Sequence, residues 1–348
     1  MREATTPGAA MEAFVLRAIT RGSTGAPVLL LPVILLWCSG CPATGRLPTQ
    51  APVLDVTEEQ TQRPYLLFVP STYSDRVSWP LVVACHGTWP YDTAKLQMQE
   101  WAQFAETRGI IVAAPQLSGT KGDFPPPPET QVALQNEDER AILAIVSALK
   151  RKYCIAEERV FLTGWSAGAY SILHAGLRNP DVFRAMAVRQ GSFDARYMDV
   201  PKDRQDRWQR ILVIYGMADF LRDQSKEMTK WLRNEGWYVD EEEIPGSHRR
   251  IDPGVPWKFF SKVVKESPWV RVRSYGADAA DPRVIRFCLD AIPAVVKQQW
   301  SFGDGNESAE ATPTHTYEKP GRYEVTVKVE MKGGKKYARR HVLRVSQY

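Results

Sequence analysis

The sequence predicts an α/β protein, with a doubly wound, mostly parallel sheet followed by a small all-β sandwich. Between residues 61 and 267, short apolar runs alternate with amphipathic helical segments, the order typical of parallel sheets. From about residue 268 the helical periodicity ends, and short β-branched runs alternate with turns. A Gly-x-Ser-x-Gly motif lies between a predicted strand and a predicted helix. The chain is therefore expected to contain two folded domains, 61–267 and 268–348.

The first 45 residues have the features of an export signal. Arg17 and Arg21 precede an apolar stretch, 27–37, that is too short to span a bilayer comfortably. Small residues follow, and 39–41 resembles the end of a bacterial lipobox, in which the cysteine, here Cys41, is lipidated after cleavage. Lipidation, plain secretion and a retained membrane anchor all remain open. Each of them predicts a secreted or cell-envelope protein.

The next residues, 46–60, are polar and rich in Pro, Thr and Gln, which predicts a linker. Short apolar runs beyond them predict the strands of the first domain, at 65–69, 81–85, 110–114, 160–163, 183–188, 211–215 and 238–244. Helical spacing of apolar residues predicts helices at 93–107, 138–152, 167–177, 220–234 and 257–265. Four consecutive prolines, 125–128, predict an irregular loop. In the second domain, Asp304-Gly305 and Gly333-Gly334 predict hairpin turns.

Charge excludes one class of function. The 348 residues have a formal net charge of +5. Residues 268–348 contain 14 Lys/Arg and 9 Asp/Glu, so the whole excess lies in the second domain. This small excess, with no nucleic-acid motif, predicts no nucleic-acid partner. A cluster around one predicted hairpin points instead to a solvated basic face or to weak contact with anionic surface polymers; it comprises Lys332, Lys335, Lys336, Arg339 and Arg340.

Ser166 is the predicted nucleophile. It stands in Gly164-Trp165-Ser166-Ala167-Gly168, after a predicted strand and before a predicted helix. A sharp turn at this place crowds its neighbours, so the residues two before and two after the serine must be small. The turn also puts the Ala167 amide at a helix N-terminus, where it can stabilise a developing oxyanion.

The base and the acid follow from position. In strand–turn–helix hydrolases the chain order is Ser, acid, His, and of the five histidines only His248 lies after Ser166 in a loop that follows a predicted strand of the same domain. Asp219, in the loop after strand 211–215, is the predicted acid that orients the imidazole. Asp223 is the competitor, but it should lie one turn inside a helix.

The loop after strand 81–85 is expected to provide the second oxyanion donor. Gly87 allows a tight turn there, and the Thr88 amide is the predicted donor. His86 is expected to support this loop by hydrogen bonds rather than to react. Trp89 and Trp165 are candidates for lining a substrate pocket, although aromatic residues are as often ordinary core.

Residues 60–265 resemble the polyhydroxybutyrate-depolymerase-like esterases, a branch that includes feruloyl and acetylxylan esterases. The resemblance lies in His86-Gly87, in the run 159–168, and in the pairs Gly216/Asp219 and Gly246/His248. It implies an α/β-hydrolase fold, Ser166 as nucleophile, Asp219 as acid and His248 as base. It also implies hydrolysis of carboxylic esters without a metal or an organic cofactor.

Residues 268–348 resemble a polycystic-kidney-disease (PKD) domain, an immunoglobulin-like sandwich found on extracellular bacterial enzymes. The motifs are Trp300-Ser301-Phe302-Gly303-Asp304-Gly305, then 315–317, 320–323 and 325–327. In this family His315 and Asp304 would be structural. A surface contact, for example with polysaccharide, is the expected role, with a plain spacer as the alternative.

The leading hypothesis is thus an extracytoplasmic serine esterase whose substrate is an ester, polymeric or small. A serine peptidase of the same fold would use the same three residues. A third hypothesis is a catalytically inactive surface-binding protein. Membrane contact is expected only through a lipid anchor.

Overall fold

A computed structural model describes residues 51–121, 126–200 and 208–346. The predicted export signal and the lipobox cysteine Cys41 lie outside these ranges, as do residues 46–50 of the predicted linker. Within them, no helix is both long and apolar enough to cross a membrane.

A mixed sheet organises the first domain. In the described ranges it has eight strands in the order β1-β2-β4-β3-β5-β6-β7-β8. The strands are β1 (Leu54–Thr57), β2 (Pro64–Phe68), β3 (Trp79–Cys85), β4 (Ile111–Pro115), β5 (Ile155–Trp165), β6 (Ala185–Arg189), β7 (Arg210–Gly216) and β8 (Tyr238–Ile244). The β1–β2 and β2–β4 pairs are antiparallel and the others are parallel. Strands β4 and β6 are buried along their whole length, as expected for a sheet covered on both faces.

Helices cover both faces of this sheet. They are α1 (Ala94–Arg108), α2 (Pro128–Lys152), α3 (Gly168–Arg178), α4 (Arg222–Asn234) and α5 (Gly254–Glu266), with a short 3-10 turn at Ala195–Tyr197. One apolar core gathers residues of α2, α3 and α4, and the other gathers residues of α1 and α5. The carboxyl ends of the parallel strands lie at one edge of the sheet, which is where sites form in such folds.

Two elements differ most from the sequence-based expectation. Strand β1 lies inside the predicted linker 46–60 and pairs with β2; its four residues are too few and too exposed to give an apolar pattern. Helix α2 begins at Pro128, ten residues earlier than predicted. The last of the four prolines is the first residue of this helix. The N–H of a first helical residue has no acceptor within the helix, so proline loses no hydrogen bond there.

The second domain is a sandwich of two antiparallel sheets. Across residues 269–346 these sheets have the orders β13-β10-β9 and β12-β11-β14-β15. The strands are β9 (Trp269–Gly276), β10 (Val284–Ile292), β11 (Val295–Ser301), β12 (Glu307–Ser308), β13 (Thr314–Thr316), β14 (Gly321–Met331) and β15 (Lys336–Val345). Trp300 and Phe287 fill the core between the sheets. His315 stacks on Phe302, with 4.2 Å between ring centroids, and its Nε2 lies 2.6 Å from the Asp304 carboxylate.

The basic cluster of the β14–β15 hairpin is smaller than its sequence indicates. Arg339 is only 3% exposed, and its guanidinium lies 4.4 Å from the ring of Trp208, before β7. The other four basic residues are exposed. Residues alternate between the two faces of a strand, so Arg339 turns toward the first domain while its neighbours face solvent.

Candidate active site

The nucleophile candidate Ser166 lies in a strained turn between β5 and α3. Its φ is 53°, in the left-handed region that non-glycine residues rarely adopt. A Cβ atom at Gly164 would lie 2.6 Å from the Gly168 carbonyl oxygen, and one at Gly168 would lie 2.6 Å from the His86 carbonyl oxygen. Both glycines are therefore required by close backbone contacts. The Ser166 amide donates to the Arg189 carbonyl at 3.0 Å, which ties the turn to the end of β6.

The three residues assigned from sequence order come together at the carboxyl ends of β5, β7 and β8. The Ser166 Oγ lies 3.1 Å from Nε2 of His248, and Nδ1 of His248 lies 3.0 Å from Oδ1 of Asp219. A carboxylate accepts hydrogen bonds, so Nδ1 carries the proton and Nε2 is free to accept one from the serine hydroxyl. Asp219 also accepts the Leu221 amide at 2.8 Å. Asp223, the competing acid, lies in the first turn of α4.

The loops that carry Asp219 and His248 are joined directly. The Met217 amide donates to the Ile244 carbonyl at 2.8 Å, and the Ala218 amide donates to the Gly246 carbonyl at 2.9 Å. A Cβ atom at Gly216 would lie 2.4 Å from the Gly246 oxygen, so no larger residue fits between the loops. This contact fixes the distance between Asp219 and His248.

The loop after β3 lies against the nucleophile turn. A Cβ atom at Gly87 would lie 3.1 Å from Cβ of Ser166 and 2.9 Å from the Trp165 ring. The Gly87 amide donates to Asp92 at 2.6 Å. The next amide, of Thr88, and the amide of Ala167 donate no hydrogen bond to any described residue. The two predicted oxyanion donors thus have no acceptor among the described residues.

His86 supports this loop, as expected. Nδ1 of its ring lies 2.8 Å from the Gly87 carbonyl, and Nε2 accepts the Leu117 amide at 2.9 Å. Burial of the ring lowers the pKa of His86 below its ordinary value, which keeps the imidazole neutral and able to accept.

Aromatic side chains surround the candidate site. The Trp165 ring lies 4.8 Å from the His248 ring, and the ring of Phe220, which the sequence did not single out, lies 4.6 Å from it on the other loop. Phe220 is 76% exposed. Trp89 is half-exposed and, with His86, lines a groove of about 930 Å³ that runs along β1 and α1 and does not include Ser166. Trp165 thus contacts the base directly, whereas Trp89 borders the neighbouring groove.

A polar network that no sequence pattern predicts links the loop after β3 to the loop that carries His248. Asp92 is fully buried, and its carboxylate accepts the Gly87 amide and the Arg250 guanidinium, the latter at 2.5 Å. The Arg250 guanidinium also bonds to Glu100 and lies 4.8 Å from the Trp165 ring. Asp92 and Arg250 are 158 residues apart in the chain, so no local motif could indicate their contact. Within the described ranges, no group of three or more His, Cys, Asp or Glu side chains is placed to hold a metal ion.

Two family models match separate parts of the chain. The model of the prolyl oligopeptidase family matches residues 97–213, and that of the PKD domain matches residues 287–346. A search among curated proteins finds no match.

Solved structures give the fold. A ferulic acid esterase of Anaeromyces mucronatus, solved with ferulic acid, superposes with a TM-score of 0.50 at 17% identity, over 62% of this chain and 90% of that one. A fluorophosphonate-binding serine hydrolase of Staphylococcus aureus superposes with a TM-score of 0.46 at 14% identity, over 61% of this chain and 97% of that one. Dipeptidyl peptidase 4 of Porphyromonas gingivalis superposes with a TM-score of 0.46 at 14% identity, over 62% of this chain and 36% of that one. The chain spans about a third of the length of the dipeptidyl peptidases it matches.

These comparisons give the fold of each domain. The first domain has the α/β-hydrolase fold. The second is a PKD domain.

Proposed function

We propose that this protein is an extracytoplasmic serine esterase that hydrolyses carboxylic esters through an acyl-enzyme. The proposal rests above all on the hydrogen-bonded series Ser166–His248–Asp219, at 3.1 Å and 3.0 Å. It is supported by the two unused amides beside Ser166, and by the resemblance of residues 60–265 to esterases.

Each residue then has one role. His248 accepts the Ser166 proton while Oγ attacks the ester carbonyl carbon, and the carbonyl oxygen becomes an oxyanion. The Thr88 and Ala167 amides donate to that oxyanion. The imidazolium, stabilised by Asp219, returns the proton to the departing alkoxide and leaves Ser166 acylated. Water, activated by His248, attacks the acyl carbon, and the acid product leaves with Ser166 restored.

The surroundings of the base support an ester with an apolar acyl or alcohol group. The exposed Phe220 and the partly exposed Trp165 both contact the His248 ring. Arg249, next in the chain, is exposed and adds a positive charge on the solvent side of the base. A positive charge there disfavours the free ammonium group of a peptide N-terminus.

A serine peptidase is the second candidate, favoured by the match of residues 97–213 to the prolyl oligopeptidase family. Parallel assays of p-nitrophenyl esters and of peptidyl p-nitroanilides separate the two. Turnover of esters with amides left intact supports the esterase. Amide turnover at a comparable rate would make the protein a peptidase. No turnover and no labelling of Ser166 by a fluorophosphonate would indicate an inactive surface-binding protein.

Export is part of the proposal and rests on residues 1–45 alone. We expect the mature protein to begin at or near Cys41, with a diacylglyceryl group on that cysteine, because the lipobox resemblance ends there. Mass spectrometry of the N-terminal peptide from membrane fractions measures this. An unmodified N-terminus beyond Cys41 would leave secretion without lipidation, and an intact N-terminus in the cytoplasm would contradict export.

Removal of the PKD domain is expected to spare catalysis. Every proposed catalytic group precedes residue 250, so a protein lacking 268–348 should keep kcat on a small soluble ester within about twofold. The deletion removes Arg339 and so uncovers Trp208. It retains Ser267, whose carbonyl accepts a hydrogen bond from Arg184. We therefore expect a melting temperature lower by about a few degrees. Loss of activity in the folded truncated protein would show that the PKD domain maintains the site.

A further inference from the structure

The side chain of Gln190 makes hydrogen bonds to the residues on both sides of His248. Gln190 follows β6 and is fully buried. Its Nε2 donates to the Ser247 carbonyl at 2.7 Å, and its Oε1 accepts the Arg249 amide at 2.7 Å. These are the residues immediately before and after His248. One rigid amide therefore holds both backbone neighbours of the imidazole.

The backbone of the same segment holds the other two proposed catalytic residues. The Arg189 carbonyl accepts the Ser166 amide at 3.0 Å, and the Gln190 amide donates to the Ile214 carbonyl in β7 at 2.7 Å. Strand β7 leads directly into the loop that carries Asp219. Residues 189 and 190 thus connect the nucleophile turn, the acid strand and the base loop.

The conformation of Gln190 is costly. Its φ is 51°, a left-handed value that residues with a Cβ rarely adopt. Glycine adopts this conformation without strain and would suffice if the position were only a turn. Only a side chain with both a donor and an acceptor can make the two bonds to the base loop.

We propose that Gln190 is a positioning residue, which holds the His248 loop at the distance from Ser166 and Asp219 that proton transfer requires. This inference rests on the proposed role of His248 as the base. Gln190 has no part in the chemistry; its two bonds restrict the movement of the imidazole. A displacement of about 1 Å at a reacting group can lower a rate by about a hundredfold.

The test compares Gln190→Leu with Gln190→Gly and with a matched control. Leu keeps the size of the side chain and removes both bonds, whereas Gly removes the side chain and relieves the positive φ. The control is Gln209→Leu: Gln209 is also fully buried and bonds to a backbone carbonyl, that of Phe183, but it precedes β7 at the opposite end of the sheet.

Both Gln190 variants are expected to lower kcat about 10- to 100-fold, with KM within about twofold. The rate of fluorophosphonate labelling at Ser166 should fall by a similar factor. Gln209→Leu should lower the melting temperature and leave both kcat and the labelling rate unchanged.

Two results would overturn the proposal. One is kcat within about twofold of the wild type in a folded Gln190 variant. The other is an equal loss of kcat in Gln209→Leu, which would reduce Gln190 to a general stabilising role. If the wild type hydrolysed no ester, the proposed function would fail, but the labelling rates would still decide the role of Gln190.

Discussion

Ester hydrolysis is expected to fall about a thousandfold or more in Ser166→Ala, with the fold unchanged. Alanine keeps the Cβ and the backbone strain of residue 166, so the substitution removes only the Oγ that lies 3.1 Å from His248. The measurement is kcat/KM on p-nitrophenyl esters, together with fluorophosphonate labelling and circular dichroism. Because triad members act as a unit, adding His248→Ala should cost little more.

Ser247→Ala is the matched control for this prediction. Ser247 is exposed and adjacent to the base, and its contribution to the site is its backbone carbonyl, which alanine retains. Activity in Ser247→Ala should stay near the wild-type value. More than a few per cent of activity in Ser166→Ala would contradict the assignment of the nucleophile.

Asp219→Asn is expected to lower kcat by roughly a thousandfold or more. An asparagine either donates to Nδ1 or favours the wrong tautomer, so Nε2 no longer accepts the Ser166 proton efficiently, and the imidazolium loses its counter-charge. The buried Oδ2 of Asp219 accepts no hydrogen bond from any described residue, so the bond to Nδ1 of His248 is the side-chain contact that the substitution changes.

Asp223→Asn is the corresponding control, since Asp223 was the alternative acid and lies four residues further on, in the first turn of α4. It should reduce kcat by less than about twofold. A larger loss in Asp223→Asn than in Asp219→Asn would mean that the acid has been assigned to the wrong residue.

The predicted fold class is confirmed, and the predicted elements are largely those observed. The buried parallel strands were readable because a strand covered on both faces must be apolar throughout. Strand β1 was not predicted, because a four-residue edge strand pairs with only one neighbour and carries mostly exposed side chains. The early start of α2 was missed because a proline can begin a helix that it cannot continue.

The sequence by itself determined the nucleophile turn and the chain order of the residues that meet there. Steric crowding in that turn acts over five consecutive residues, so Gly164 and Gly168 reveal it locally. His248 and Asp219 were predicted as partners of Ser166 because each follows a predicted strand of the same domain.

Only the tertiary structure decided which residues hold this arrangement in place. Gln190 bonds to Ser247 and Arg249, which are 57 and 59 positions away in the chain. Asp92 bonds to Arg250, which is 158 positions away. The tertiary structure also shows that Arg339 packs against Trp208 and does not belong to the basic face of the hairpin. Such contacts depend on which strands become neighbours and on the face to which a side chain points. A single polar residue in a loop carries no periodic or steric pattern, so neither its neighbours nor its direction can be predicted from the sequence.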